Sequence, residues 1–326
     1  TGTVATATQN SITTATGLTT VGASQQATTI ANIPFYSDSS SIYTHDVSAT
    51  DSTASYNTAY GLNALDAITT GDGNTVMGYQ AATALNTGQR NVIIGYQAGD
   101  EMTSGGDSVI VGYGAGHSQT TAIENTFVGY YAGSEQITGD YNTALGSGAL
   151  QNNTTAFNNV AVGRSALGAN TTGTRNLAIG TNAYDASDTE NDNIAIGYNA
   201  MTTNTAGGEK NVAVGNYALD ALTSGDDNVA VGYDALGVNS TGEKNTAVGA
   251  NSMQLHTTGN NNTAVGESSM DSNTTGASNV AIGQEAMNAN TTGAENTVVG
   301  RNALAANTTT SSNTAVGANA LAANTA

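Results

Sequence analysis

Asn245-Thr246-Ala247-Val248-Gly249 and, two periods further on, Asn279-Val280-Ala281-Ile282-Gly283 are copies of one phrase. The glycine that closes the phrase recurs as Gly61, Gly78, Gly95, Gly112, Gly129, Gly146, Gly163, Gly180, Gly197, Gly215, Gly232, Gly249, Gly266, Gly283, Gly300 and Gly317. Every interval is seventeen residues except Gly197 to Gly215, which is eighteen. A period held this long means one structural unit stacked on itself. Aligned on these glycines, the unit reads Asn–Thr/Val–Ala–Val/Ile–Gly–x–x–Ala–Leu/Met–x–x–Asn–Thr–Thr–Gly–x–x, positions 1 to 17.

The β-branched residues at positions 2 and 4 favour a short extended strand, and glycine at position 5 ends it with a bend or a close approach. Position 8 is alanine in fourteen of sixteen copies, Ser252 and Ser269 being the exceptions, and an apolar residue such as Leu219, Leu236 or Met253 follows it. We read this segment as a second short strand or arm. Asn-Thr-Thr-Gly then closes the turn, with glycine free to adopt positive φ and Asn or Thr bonding local backbone. Helical repeats run to about thirty residues or more and would lose ~1 kcal/mol at each interior glycine. The unit therefore predicts an all-β fold, a parallel β-solenoid or β-roll of about sixteen seventeen-residue turns. At ~4.8 Å per turn the rod is roughly 75 Å long.

The strand is apolar on both faces. In Asn228-Val229-Ala230-Val231, Ala230 points one way and the two valines the other. A strand with one wet face should be polar at every second place. The small alanine suits a thin lumen, and the β-branched face requires cover, most simply by other copies of the chain. We expect a homotrimer about the rod axis. The one eighteen-residue interval falls at Thr203-Asn204-Thr205-Ala206-Gly207-Gly208-Glu209-Lys210, where an extra glycine in the closing turn leaves strand register intact. Residues 1–56 lack the period and read as an N-terminal connector with irregular strands around Ile12-Thr13-Thr14 and Leu18-Thr19-Thr20-Val21-Gly22. The rod spans 57–326. No capping element precedes Ala326, so further sequence is expected beyond it.

Twenty-five acidic residues face six basic ones, a net charge of -19. This argues against nucleic acid, whose affinity comes from Lys and Arg, and against anionic membrane surfaces. The chain has no cysteine, so neither a disulfide framework nor a thiolate site. There is no run of eighteen apolar residues to suggest a membrane helix, and the sequence, opening on Thr1, displays no basic-then-apolar segment of the secretory kind.

The Asn-Thr-Ala-Val-Gly-x-x-Ala-Leu unit resembles the left-handed β-roll repeats in the heads of trimeric autotransporter adhesins, although those repeats are a few residues shorter. With its Asn290-Thr291-Thr292-Gly293 turn before Asn296-Thr297, it looks more like repeats of phage tail-fibre proteins. Such proteins often end in a self-cleaving trimerisation chaperone, which is absent from this sequence. Gln9-Asn10-Ser11-Ile12-Thr13-Thr14-Ala15-Thr16-Gly17-Leu18-Thr19 is similar to segments of the same fibres. The resemblance implies an extracellular shaft, on a virion or a cell surface, that positions host attachment.

Candidate chemistry is sparse. His45, His117 and His256 accompany no nucleophile motif, His256 reading as a turn substitution. The short repeats offer no insertion that could build the cleft paired carboxylates need. We expect no enzyme activity and no cofactor. Asp188, Glu190 and Asp192 alternate in one turn and Asp226-Asp227 follow Gly225 in another, but without a calcium-loop pattern. They read as solvated acidic turns, with no metal site. Tyr79, Tyr96, Tyr113 and Tyr130 each follow the marker glycine in consecutive units, and Tyr198 and Tyr233 repeat the choice. They should stack as one column, either steadying neighbouring turns or binding cell-surface glycan along the rod. Asn at positions 1 and 12 should form hydrogen-bonded ladders. Thr at positions 13 and 14 raises a further alternative, an ice-binding β-solenoid.

Overall fold

The computed structural model describes residues 28–30, 33–37, 42–44, 53–204 and 207–325. The stretch from Gln9 to Thr19, the alternating segments around it, and His45 lie outside the described residues. A short hairpin, β1 (Thr28–Ile30) against β2 (Ile33–Ser37), leads to β3 (Ile42–Tyr43), which runs antiparallel to β2 and parallel to the first strand of the rod. Sixteen three-residue strands follow, β4 (Thr58–Tyr60) to β19 (Thr314–Val316), one per turn. Each pairs in parallel with the strand before and the strand after it, at identical repeat positions. There is no helix among the described residues. The chain is a parallel β-solenoid of about sixteen turns.

The eighteen-residue turn keeps that register. β12 (Ile194–Ile196) pairs with β13 (Val212–Val214) as Ile194↔Val212, Ala195↔Ala213 and Ile196↔Val214. An alanine methyl at Gly207 would meet nothing within 4 Å, so the closing turn has room there.

The second arm is not a strand. Its residues at positions 7 and 9 take left-handed backbone, as at Tyr217 (φ 63°) and Leu219 (φ 52°). The Tyr217 N–H reaches back one turn to Tyr198 O (3.0 Å), while the Leu219 N–H reaches forward to Ala235 O (3.1 Å). Alternating handedness thus gives the arm inter-turn hydrogen bonds without a β ladder. Position 7 often carries Asn, as at Asn63, Asn182 and Asn251, where left-handed backbone is well tolerated. At position 9 the residue is bulky and the conformation costs ~1–2 kcal/mol. Burial of its side chain, complete at Leu219, Leu236 and Met253, returns ~1.5–3 kcal/mol and offsets that strain.

The lumen is filled by matched pairs. Position 3 of the strand and position 9 of the arm share the space within a turn. Where the strand supplies alanine the arm supplies a long side chain, as in Ala144 with Leu150 and Ala247 with Met253. Where the strand supplies Ile93, Ile110 or Phe127, the arm has Gly99, Gly116 or Gly133. A methyl on Gly133 would lie 2.7–2.8 Å from the Phe127 ring.

Buried polar ladders close the rest of the cross-section. The Asn245 backbone N–H donates to Asn228 Oδ1 (3.0 Å), and Asn245 Nδ2 donates across the turn to Gly259 O (2.9 Å). The pattern repeats with full burial at Asn262 and Asn279. Each position-1 side chain thereby ties the strand start to the closing turn and to the next unit, satisfying groups that would be costly to bury alone. Where Ser108 replaces asparagine its Oγ still accepts the Asn125 N–H (3.2 Å). The second ladder, at position 12, runs through Asn273, Asn290 and Asn307.

His256 takes the place of an asparagine in this second ladder. It is fully buried, with Nε2 donating to Gly259 O (2.7 Å) and Nδ1 beside Asn273 Nδ2 (3.1 Å). Burial pushes its imidazole below the ordinary value, whereas in the unfolded chain it protonates near pH 6.5. As pH falls through ~6.5 the unfolded state binds the extra proton, so the folded state loses stability on acidification. His256→Asn, the residue of neighbouring turns, should lose less stability between about pH 7.5 and about pH 5.5 than the parent chain does. Urea denaturation of both proteins at the two pH values measures the difference.

Candidate functional site

Two surface features stand out, the strand face and the tyrosine column, and the marker glycine lies between them. At Gly95 φ is +143°, and an added Cβ would sit 2.1 Å from Gly112 O in the next turn. Only glycine lets successive turns approach this closely at the bend. All sixteen predicted marker glycines take this positive-φ conformation. Positions 4 and 6 flank the marker.

The strand face comprises positions 2 and 4. Val92, Val231, Val248 and Ile282 on it are 36–41 % exposed, while the position-3 residues between them are buried. No turn places a charged residue at either position. Charge gathers instead at position 17, where Arg175, Asp192, Lys210, Asp227 and Lys244 alternate in sign over five consecutive turns. Arg175 Nε meets Asp192 Oδ1 at 2.6 Å and Arg90 Nε meets Asp107 Oδ1 at 2.5 Å. These guanidinium partners hold the Asp107 and Asp192 carboxyls below their ordinary range. Exposed pairs of this kind contribute little to stability, so they dress the surface rather than hold the rod.

Tyr79, Tyr96, Tyr113 and Tyr130 form one stack, with ring centroids 5.3, 4.9 and 5.4 Å apart and interplanar angles of 21°, 6° and 23°. They are 41–56 % exposed. Tyr131, which the sequence reading passed over, stands edge-on to Tyr113 (5.5 Å, 76°) and Tyr130 (4.6 Å, 81°). Its ring lies over Gly114, where a Cβ would be 2.5 Å from Tyr131 Cε1. The later rings meet differently. Tyr198 and Tyr233 are bridged edge-on by Tyr217 at 5.6 and 5.8 Å. A sugar stacks on a free aromatic face, and Tyr96 and Tyr113 each have a stacked ring on both sides.

The acidic turns resolve into separate structural roles. Glu190 is buried, not solvated: Oε2 accepts from Ser187 Oγ (3.2 Å) and the Asp188 and Thr189 N–H groups (3.0 and 3.1 Å), and Oε1 from the Gly207 N–H (3.2 Å). It braces the turn beside the one-residue insertion. Its neighbour Tyr184 fills the lumen where other turns have Leu or Met, its hydroxyl bonding Asn193 Nδ2 (2.5 Å) and Asn204 Nδ2 (3.0 Å). Asp226 Oδ1 accepts the Glu209 N–H (2.8 Å). Asp188 and Asp192 bond Thr171 and Arg175 of the preceding turn. Among the described residues no three His, Asp or Glu side chains group to hold a metal. His117 pairs through Nδ1 with Asp100, whose carboxyl is held above its ordinary range chiefly by burial.

The threonine columns divide in two. At position 13 the half-buried hydroxyl is spent on the carbonyl of the next turn, as Thr257 Oγ1 donates to Thr274 O (2.9 Å) and Thr274 Oγ1 to Thr291 O (3.0 Å). Position 14, with Thr258, Thr275 and Thr292, is the exposed column. Position 14 offers a column one residue wide rather than a flat two-dimensional array. No helix among the described residues is long and apolar enough to cross a membrane.

Comparison with known proteins adds no relative: no protein-family model, no curated protein and no solved structure matches the chain.

Proposed function

We propose that this chain is the shaft of a homo-oligomeric extracellular fibre, on a virion or a cell surface, which holds a host-binding element at a distance. The observation that carries the reading is the uncharged, β-branched strand face repeated in register along sixteen turns. Three residues wide and sixteen turns long, it covers about 10 Å by about 75 Å at standard strand spacings. That is close to the ~800 Å² per partner of a stable protein interface. Position 2 is threonine in eight of the sixteen turns, but position 4 is aliphatic or aromatic in all of them, and large exposed apolar patches mark interaction sites. The occupant that matches the length and repeat of this face is the same face of another copy, and three copies about a common axis cover one another without leaving one bare.

The role requires a stiff spacer, which the buried ladders and the continuous lumen supply, and no reaction is assigned to it. Sedimentation velocity or native mass spectrometry should find a trimer. Val231→Lys with Val248→Lys, which places charge on the face and leaves the lumen untouched, should shift the mass towards monomer while the far-ultraviolet spectrum persists. A monomeric parent chain would overturn the reading.

A further inference from the structure

The tyrosine cluster has a chemistry that a structural stack does not need. Five phenols lie in contact between Tyr79 and Tyr131, and the fifth breaks the stacking pattern by standing across two of the others. Gly114 leaves room for that ring, since any side chain carbon there would run into it. Desolvation first, and then the neighbouring Tyr113 phenol, push the Tyr131 phenol above its ordinary value. Tyr113 and Tyr131 also sit on consecutive turns, so a bond between them would join one layer of the rod to the next.

We propose that Tyr113 and Tyr131 form an oxidative cross-linking site, coupled to dityrosine by a peroxidase-type one-electron oxidant with hydrogen peroxide. Each phenol loses one electron and its phenolic proton. The two phenoxyl radicals combine through ring carbons ortho to oxygen, forming one C–C bond. The two ortho hydrogens then leave those carbons as both rings regain phenol form. Overall two hydrogens are lost from the protein, and one hydrogen peroxide is reduced to two waters. Preorganisation distinguishes this site from an ordinary exposed tyrosine, because the second ring is already in place when the first is oxidised. Tyr56 and Tyr141 are exposed and stack on no other ring among the described residues, so they serve as internal references. The proposal stands independently of the fibre reading.

The test is treatment of the dilute intact chain with a haem peroxidase and hydrogen peroxide, followed by cleavage after glutamate. Glu101, Glu124 and Glu135 bound two peptides, one carrying Tyr113 and the other Tyr130 and Tyr131. The expected product is those two peptides joined within one chain, lighter by two hydrogens, with fragment ions placing the bond on Tyr131. Tyr131→Phe should lower the yield at least tenfold, Tyr141→Phe should leave it unchanged, and prior unfolding in urea should abolish the selectivity. A bond mainly between chains, a bond spread evenly over Tyr56 and Tyr141, or an undiminished Tyr113–Tyr130 product in the Tyr131→Phe chain would each overturn it.

Discussion

Gly232→Ala is expected to open the rod at that turn, at a cost of about 4 kcal/mol. Gly232 has φ +142°, and its added Cβ would lie 2.4 Å from Gly249 O and 2.5 Å from Gly249 C. The obstruction is backbone held by the parallel ladder, so it cannot swing aside as a side chain would. Adverse φ contributes ~1–3 kcal/mol and overpacking a further ~1–3 kcal/mol. Gly317 separates the two effects. Its φ is +122°, but an added Cβ would meet only Ala320 Cβ, at 4.0 Å, so Gly317→Ala should show the strain without the clash. In a stacked array each unit contacts only its neighbours. Hydrogen exchange should therefore quicken around residues 215–249 and remain slow in distant turns. Equal destabilisation by the two substitutions would show that layer spacing does not select the glycine.

Phe127→Ala is expected to cost ~3–5 kcal/mol, the range for emptying a buried aromatic site. The informative variant is the double one. Gly133→Leu alone should also destabilise, because its Cβ would start 2.7 Å from the Phe127 ring. Together with Phe127→Ala it recreates the pair used at Ala144 and Leu150, where leucine already adopts φ 49° beside an alanine strand. The double variant should regain most of the lost stability, giving a large coupling energy between two contacting sites. Denaturation midpoints for the four proteins complete the cycle. A double variant no more stable than Phe127→Ala would mean that the lumen is not shared in the way the pairs suggest.

These pairs also show where sequence reading stopped. Ala144 and Leu150, or Phe127 and Gly133, are visible in the repeat, and the inverse sizes at positions 3 and 9 were a usable signal. Read column by column, they look like two independent preferences; only their meeting in one lumen makes them one volume. The same holds for Tyr131. Its column contains Gln97, Gly114 and Gly148 among its neighbours, so nothing periodic marks it as the partner of Tyr113. Glu190 looked like surface charge because its turn is acidic, and the insertion that brings the Gly207 N–H to it lies in the following unit. His256 reads as a substitution in the closing turn, and its burial follows only from the inward direction of position 12.

What the sequence determined by itself is the solenoid. Strand preference at positions 2 and 4, glycine at 5 in every unit and at 15 in most, and the seventeen-residue interval are local facts, and a repeat of that length with those residues has few ways to stack. Tertiary structure decided the rest: the left-handed arm, the shared lumen, the buried carboxylate and the ring that crosses the tyrosine column. Each depends on residues about one turn apart arriving within a few ångströms, or on side chains from two arms dividing one space. Such outcomes follow from the sum of contacts between layers and not from the preference of any residue in its own unit.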